Sequence, residues 1–444
     1  MTIDKPKATA ASPPLMSLGK VLRQPDNKAA RCLILFLFTA AVFLREPGYF
    51  LAPQFWIEEG LVYYAHAWND SAGAAFTLLF AGYWSCFENL WALLSVWLVP
   101  MEHAALSFKL GGLLVMLTAP VVILHSRASH WQWPWAKTLG CLIVLITPLS
   151  DELWVSPLGA KFFFSLTFAL LLLEPVNELS SRRRFFIWTL LIIGALTSPV
   201  PCMLTPFFAL KWCLDRSPEN ARRACWMSAA LLFHLVIMRL PSAGLADRQI
   251  EPDLVATVLV WLHKCVLLPL FGSRLAHLSG VQWLLPAVEQ HAAWLPALAL
   301  AVLVLPVVLV ALVWRQTRDP KLLLVLLASF TLGFASLWSA VGEKHLMLHP
   351  TWAPRYSLTP GILLVLVLLQ LALNPQIRSK AVRIAARSLV MVSLLSGLWE
   401  FRHARFYMSG QTVWTEECRQ WRADPDHELR IWPPPHKFKL QPRE

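Results

Sequence analysis

Apolar residues in this chain occur in long blocks, and short polar breaks separate one block from the next. The clearest blocks cover residues 104–125, 292–314, 322–341 and 359–373. A helix rises about 1.5 Å per residue, so roughly 20 apolar residues cross the hydrocarbon core of a bilayer. The pattern therefore predicts helices that span a membrane.

Over the whole chain, the pattern predicts an all-α, polytopic integral membrane helical bundle with about 11 transmembrane helices. The predicted spans are 29–44, 104–125, 138–150, 156–173, 185–199, 200–214, 224–240, 292–314, 322–341, 359–373 and 385–400. They form a transmembrane domain over 29–400. A disordered cytoplasmic N-terminus is predicted at 1–28, and an extracytoplasmic C-terminal tail at 401–444.

Two further apolar segments are interrupted by polar residues. In segment 82–99 the tryptophans recur at helical spacing, which predicts an interfacial helix in the first extracytoplasmic loop. Segment 254–272 has His263 and Lys264 at its centre, a costly placement in hydrocarbon. This segment is predicted to be interfacial as well, or to pack against protein.

Composition excludes a soluble globular protein. Hydrophobic residues make up 57% of the chain and charged residues 15%, whereas soluble domains are about 25% charged. The formal charge of +12 does not indicate a nucleic-acid partner, because Lys and Arg cluster in the short breaks between apolar blocks. This distribution follows the positive-inside rule and predicts a multi-pass protein with a cytoplasmic N-terminus.

Two acidic pairs are predicted on the extracytoplasmic face. Glu58 and Glu59 follow the first span, and Asp151 and Glu152 lie at a junction between two later spans. Adjacent carboxylates at a membrane surface are costly to desolvate, and their crowding raises the pKa of at least one, which suits a general base. Each pair can instead occupy the start of a helix, where acidic residues cap it or favour its dipole.

A short extracytoplasmic loop before a late span gathers basic side chains. It contains Lys344, His345 and Arg355, with Tyr356 beside the arginine. Arginine binds phosphate through charge-assisted, often bidentate hydrogen bonds, and Arg355 is predicted at the depth of lipid headgroups. The alternative is that Arg355 is an interfacial anchor whose side chain reaches towards water.

Four segments resemble motifs of a known family. They are Phe55-Trp56-Ile57-Glu58-Glu59-Gly60, Gly82-Tyr83-Trp84, Ala195-Leu196-Thr197-Ser198-Pro199-Val200-Pro201 and Pro354-Arg355-Tyr356. Their order resembles the GT-C superfamily of membrane glycosyltransferases, which includes the protein O-mannosyltransferases and the aminoarabinose transferase of lipid A. The first segment looks like the F-W-A-E-D-G variant of bacterial relatives. Glu59 replaces its Asp and Ser198 stands where many relatives carry Lys, departures that indicate a different substrate or an inactive homologue.

The resemblance implies a glycosyltransferase of the bacterial inner (plasma) membrane. Its donor would be a polyprenyl-phosphate-linked sugar and its acceptor an envelope glycan or lipid. Glu58 or Glu59 would be the base, and Arg355 would stabilise the leaving phosphate. The remaining implied roles are phosphate binding by Lys344, His345 and Tyr356, and acceptor orientation or binding of a divalent cation by Asp151 and Glu152.

A rival interpretation is a transporter or a lipid-linked sugar flippase. Lys109, Lys161 and the proline-broken stretch 198–206 would then line the substrate path. A polysaccharide polymerase or ligase is a third interpretation. Convergence of Glu58, Asp151 and Arg355 in one lipid-facing cavity on the outer face would favour glycosyl transfer, whereas a midplane cavity open alternately to both sides would favour transport.

Overall fold

The computed structural model describes residues 18–25, 27–147, 153–176, 179–240, 252–340, 342–350, 352–403 and 413–442. Almost all of the regular structure in these ranges is helical, and the strands form two short antiparallel pairs. The predicted all-α class is therefore confirmed. A short helix, Leu18–Arg23, lies within the segment predicted as a disordered lead.

The helices of the first half are Leu18–Arg23, Lys28–Arg45, Gly48–Leu51, Glu59–Tyr64, Ala65–Asn69, Ala72–Phe76, Cys86–Leu98, Met101–His103, Ala104–Met116, Thr118–His125, Ser129–Trp131, Ala136–Ile146, Pro157–Gly159, Ala160–Leu171, Ser181–Thr197, Pro199–Cys202, Thr205–Asp215 and Pro218–Ile237. Those of the second half are Leu254–Trp261, Leu262–Leu267, Leu268–His277, Leu278–Leu284, Leu285–Glu289, Leu295–Thr317, Pro320–Trp338, His345–Leu348, Arg355–Leu373, Lys380–His403 and Trp414–Ala423. The paired strands are Leu79–Phe80 with Tyr83–Trp84, and Leu429–Arg430 with Lys437–Phe438.

Six of the described helical segments are long and apolar enough to cross a membrane, or seven if one bent pair counts as a span. The six are Met101–His125, Leu254–Glu289, Leu295–Thr317, Pro320–Trp338, Arg355–Leu373 and Lys380–His403. The eleven predicted spans are not confirmed. Two of them, 138–150 and 156–173, correspond to the shorter apolar helices Ala136–Ile146 and Pro157–Leu171.

The predicted spans 185–199 and 200–214 correspond to the bent pair. Helices Ser181–Thr197 and Pro199–Asp215 meet at an angle of 113°. Ser198 between them has extended backbone, and its hydroxyl accepts a hydrogen bond from the backbone N–H of Val200 at 3.3 Å. The first N–H groups of a helix have no partner within it, so proline, which lacks an N–H, is favoured at the first position. Pro199 therefore starts a new helix after Ser198.

Segment 254–272 is buried within the protein as part of the long helical segment Leu254–Glu289. His263 and Lys264 are both fully buried. The Lys264 ammonium donates hydrogen bonds to the backbone carbonyl oxygens of His349, Pro350 and Trp352, each at 2.8 Å. Three carbonyl partners offset the desolvation of the cation, so the structure agrees with packing against protein rather than with an interfacial helix.

The C-terminal tail packs against the loop that follows the first long helix. Phe55 and Trp414 lie in a small hydrophobic core that is separate from the main core of the bundle. The Trp432 N–H donates to the carbonyl oxygen of Phe55 at 3.0 Å, and the Trp414 indole donates to the carbonyl oxygen of Met101 at 2.7 Å. The first loop and the tail therefore lie at the same end of the bundle.

Candidate functional site

Two adjacent helices begin at the end of the bundle where the first loop packs. Helices Ala160–Leu171 and Arg355–Leu373 are joined by a hydrogen bond of 2.7 Å from the Thr359 hydroxyl to the carbonyl oxygen of Phe162. Lys161 lies in the first turn of one helix, and Arg355 begins the other. The starts of the two helices therefore bring two cations to one place, where the helix dipoles add positive potential.

Arg355 is half-buried and lies within electrostatic range of Lys161. Its guanidinium stacks over the Tyr356 ring, 5.2 Å from the centroid. The Tyr356 ring in turn meets the Phe162 ring edge-on at 6.2 Å. This stacking limits how far the guanidinium can move away from Lys161.

Lys161 connects Arg355 to the aromatic and acidic residues of the first loop. Its ammonium donates a hydrogen bond to the Tyr83 hydroxyl at 3.0 Å and interacts electrostatically with Glu88. Glu88 is fully buried, and its Oε2 atom has no hydrogen-bond partner among the described residues. Burial raises the pKa of the Glu88 carboxyl from 4.5 to about 7, although the Lys161 ammonium favours its ionised form.

Tyr63 joins Glu58 to the same group. The Tyr63 hydroxyl donates to the Ser85 hydroxyl at 3.0 Å, and both residues are buried. Burial, with a further contribution from the Glu88 carboxylate, holds the pKa of Tyr63 well above 10.0, so the phenol stays protonated. Glu58 is half-buried and lies within electrostatic range of Tyr63.

Six residues therefore form one group, which we name the polar cluster: Glu58, Tyr63, Tyr83, Glu88, Lys161 and Arg355. Glu58 lies at its acidic end and Arg355 at its basic end. Glu58 and Arg355 are 297 positions apart in the sequence, and they are connected through Tyr63, Glu88 and Lys161. Titratable groups that are buried near opposite charges are typical of functional sites.

Glu59 differs from its neighbour because both of its carboxylate oxygens are engaged. Oε2 accepts hydrogen bonds from the Lys109 ammonium at 2.9 Å and from the Trp56 N–H at 2.8 Å. Oε1 accepts one from the Ser156 hydroxyl at 2.6 Å. All of these carboxylate contacts lie in the interior, so Glu59 fixes the loop to helix Ala104–Met116 and to the segment around Ser156.

The other predicted site residues are placed as follows. Lys344 is buried, and its ammonium donates to the carbonyl oxygen of Ala340. His345 pairs with Glu343 at 3.1 Å. Asp151 and Glu152 lie outside the described residues. No group of three His, Cys, Asp or Glu side chains in the described ranges is arranged to hold a metal ion, and the divalent cation stays a prediction.

Glu88 is the functional candidate that the sequence reasoning missed. The sequence predicts segment 82–99 as an interfacial helix, and Glu88 is one of the polar residues that interrupt it. A signal was present, since Glu88 is a carboxylate in the first turn of the apolar helix Cys86–Leu98, and an ionisable residue in an apolar helix marks a candidate functional site. Lys161 was noted only as a charge in a transport path.

Comparison with known proteins gives no relative: no family model, no curated protein and no solved structure matches this chain. The resemblance to GT-C glycosyltransferases therefore stays a prediction. The functional proposal depends on the chemistry of the polar cluster and on the apolar helices around it.

Proposed function

We propose that the protein transfers a glycosyl group from a polyprenyl-phosphate carrier to an acceptor hydroxyl. The supporting observation is the polar cluster, in which Lys161 lies within electrostatic range of Arg355 and of the buried carboxylate of Glu88, while Glu58 lies within range of Tyr63. We further propose that this end faces the extracytoplasmic side of a bacterial inner membrane. The acceptor is then a glycan or a lipid of the envelope.

Lys161 and Arg355 bind the donor phosphate in this proposal. Both residues lie in the first turns of helices, where the helix dipoles add to their positive charge. A lipid phosphate at the membrane boundary would bring its negative charge to this end of the bundle. The arginine fork suits two phosphate oxygens, whereas the lysine ammonium acts as a point charge.

Glu58 acts as the general base. It removes the proton from the acceptor hydroxyl as that oxygen attacks the anomeric carbon of the sugar. The new bond joins the acceptor oxygen to the anomeric carbon, and the bond between that carbon and the phosphate oxygen breaks. The configuration is inverted, and the polyprenyl phosphate leaves with the electron pair, stabilised by Arg355 and Lys161.

Glu88 is a positioning residue for the cation pair. Its electrostatic interaction with Lys161 and the hydrogen bond from Lys161 to Tyr83 hold the ammonium beside Arg355. A pKa of about 7 lets the Glu88 carboxyl change protonation state near neutral pH. The net charge that faces the donor phosphate therefore depends on pH in this range.

The test uses purified protein in lipid nanodiscs with a radiolabelled polyprenyl-phosphate hexose and an extract of envelope acceptors. Glu58→Gln is expected to lower the transfer rate by at least about 100-fold, the usual contribution of a general base. Arg355→Ala is expected to lower it by a similar factor, because it removes a phosphate ligand. The matched controls are Glu428→Gln and Arg419→Ala, which change exposed residues of the tail at the same end.

Normal turnover in both Glu58→Gln and Arg355→Ala would refute the mechanism. The rival proposal, a transporter or a lipid-linked sugar flippase, predicts counterflow of a labelled lipid-linked sugar into sealed vesicles without any covalent product. The buried ion pair between Lys109 and Glu59 argues against that rival, since it occupies one of the two charges proposed for a transport path.

A further inference from the structure

A cavity of about 840 Å³ opens at the end of the bundle away from the polar cluster. Helix Met101–His125 carries Lys109 near the cluster and ends in the wall of the cavity. The 16 positions from Lys109 to His125 correspond to about 24 Å of helix. The cavity is therefore separate from the polar cluster.

Six basic side chains line this cavity, and we call them the basic wall. They are Arg31, His125, Arg127, Lys137, Arg182 and Arg183, and none of the lining residues in the described part of the chain is acidic. These side chains come from separate elements, since helices Lys28–Arg45, Ala136–Ile146 and Ser181–Thr197 each contribute at least one of them.

The cations are close enough to repel one another. Arg31, Lys137 and Arg183 all lie within electrostatic range of His125, and Arg31 and Arg127 lie within range of Arg183. The Glu174 carboxylate pairs with Arg183. Like charges gathered from several elements favour the binding of an anion, because the anion relieves their mutual repulsion.

Apolar side chains also line the cavity, and we call them the apolar wall. Val121, Val122, Leu171, Phe186 and Ile187 form it, and Phe186 is 38% exposed on the outer surface of the bundle. A free inorganic anion would gain nothing from this wall. A hydrocarbon chain would gain roughly 25 cal/mol for each Å² of apolar surface removed from water.

One more feature indicates a phosphate. Ser180 lines the cavity and caps helix Ser181–Thr197, so the N-terminus of that helix begins at the cavity. Backbone N–H groups at a helix N-terminus, together with arginine side chains, are a common setting for phosphate oxygens.

We propose that this cavity binds a phosphate-bearing amphiphile, an anionic membrane phospholipid whose phosphate contacts the basic wall and whose acyl chain lies along the apolar wall. A lipid headgroup and free phosphate present the same anionic group to the basic wall. The apolar wall favours the lipid, because only the lipid has a hydrocarbon chain to place against it. Basic pockets between membrane helices are known to bind anionic lipid headgroups. The proposal does not depend on the glycosyltransferase proposal.

The test compares lipid binding and thermal stability of the delipidated, full-length protein in detergent. Phosphatidylglycerol, phosphatidylcholine or inorganic phosphate is added. Native mass spectrometry counts retained lipid, and tryptophan fluorescence gives the Tm. Phosphatidylglycerol is expected to remain bound and to raise the Tm, whereas phosphatidylcholine and inorganic phosphate leave the Tm within error.

The decisive variant is Arg127→Gln with Arg182→Gln, because both side chains are exposed and their loss leaves the core unchanged. Its affinity for phosphatidylglycerol is expected to fall about 30-fold, from the usual contribution of two basic residues to anionic lipid binding. Arg127→Lys with Arg182→Lys keeps the charges and is expected to retain most of the binding. Arg222→Gln with Arg378→Gln is the control, because it removes two exposed arginines that do not line the cavity.

Three results would overturn the proposal. Equal retention of phosphatidylcholine and phosphatidylglycerol would show that the basic wall does not distinguish an anionic from a zwitterionic headgroup. An equal shift in Tm with inorganic phosphate would show that the apolar wall plays no part and that the ligand is a free anion. Undiminished binding by the Arg127→Gln, Arg182→Gln variant would show that the lipid lies elsewhere.

Discussion

The buried ion pair between Glu59 and Lys109 leads to a prediction about the order of stability of the wild type and two variants. The Lys109 ammonium is 1% exposed, the Glu59 carboxylate is fully buried, and their charged atoms are 2.9 Å apart. Removing one partner of such a pair leaves an uncompensated charge in the interior. Lys109→Met is therefore expected to lower the free energy of unfolding by about 3–5 kcal/mol.

A second substitution is expected to rescue the first. Adding Glu59→Gln to Lys109→Met removes the orphaned negative charge, while the amide oxygen still accepts a hydrogen bond from Ser156 or from the Trp56 N–H. The double variant should recover about 2 kcal/mol, leaving a deficit of the size expected for imperfect hydrogen bonding. It should therefore be more stable than Lys109→Met alone.

The assay is unfolding by sodium dodecyl sulfate in mixed micelles, followed by tryptophan fluorescence, for which the chain has 22 tryptophans. The control is Lys437→Met with Glu428→Gln, an exposed pair 3.8 Å apart whose loss is expected to cost less than about 1 kcal/mol. If the double variant is less stable than Lys109→Met alone, the ionised carboxylate is not the source of the instability and the reasoning is wrong.

Three further predictions concern stability and local order. For Glu88, the pKa of about 7 in the folded state exceeds the ordinary value of 4.5, so the folded state holds the extra proton. The free energy of unfolding is expected to fall by about 3 kcal/mol as the pH rises from 4.5 to 7. This pH dependence should disappear in Glu88→Gln, as measured by unfolding titrations at several pH values. An unchanged pH dependence in the variant would contradict the assignment. For Gly112, a Cβ atom would lie 2.1 Å from the carbonyl carbon of Val155 and 2.2 Å from the backbone nitrogen of Ser156. Gly112→Ala should therefore lower the free energy of unfolding by about 1–3 kcal/mol, as overpacking does. The matched control is Gly73→Ala, which should leave stability unchanged because no atom lies within 4 Å of its new Cβ. Lys264→Met should release the carbonyl oxygens of His349, Pro350 and Trp352 and make that loop more sensitive to limited proteolysis; wild-type cleavage rates would show that the three hydrogen bonds do not order it.

The helical class and two members of the polar cluster could be predicted from local sequence. Apolar blocks identify helices without any knowledge of packing, because the bilayer requires both length and hydrophobicity. Glu58 and Arg355 could be singled out because charged residues flank such blocks. Both belong to the polar cluster, but Asp151 lies outside the described residues, so the convergence expected for a transferase stays a prediction.

The role of Glu59 could not be predicted from local sequence. Its partners Lys109 and Ser156 lie 50 and 97 residues further along the chain. The same limit applies to Lys344, whose ammonium turns back to the carbonyl oxygen of Ala340. A charge count along a loop does not distinguish a side chain that faces a ligand from one that satisfies a nearby carbonyl group.

The number of spans could not be predicted from local sequence, for a different physical reason. Helices such as Ala160–Leu171, in which nearly every side chain is buried, lie inside protein, so they need not match the thickness of the bilayer. The bend at Ser198 likewise depends on backbone geometry between two apolar runs. Hydropathy measures the preference for an apolar environment, which protein and lipid both provide.

The packing of the tail on the first loop also has a consequence for biosynthesis. Gly60, which directly follows the acidic pair, is in close contact with Ile431 and Phe438. Ile431 and Phe438 follow Gly60 by 371 and 378 positions, so a ribosome adds them long after the early loop has been made. The early loop can reach its final shape only after those residues have been translated, so a product truncated before Ile431 should insert its helices yet fail to order the surroundings of Glu58.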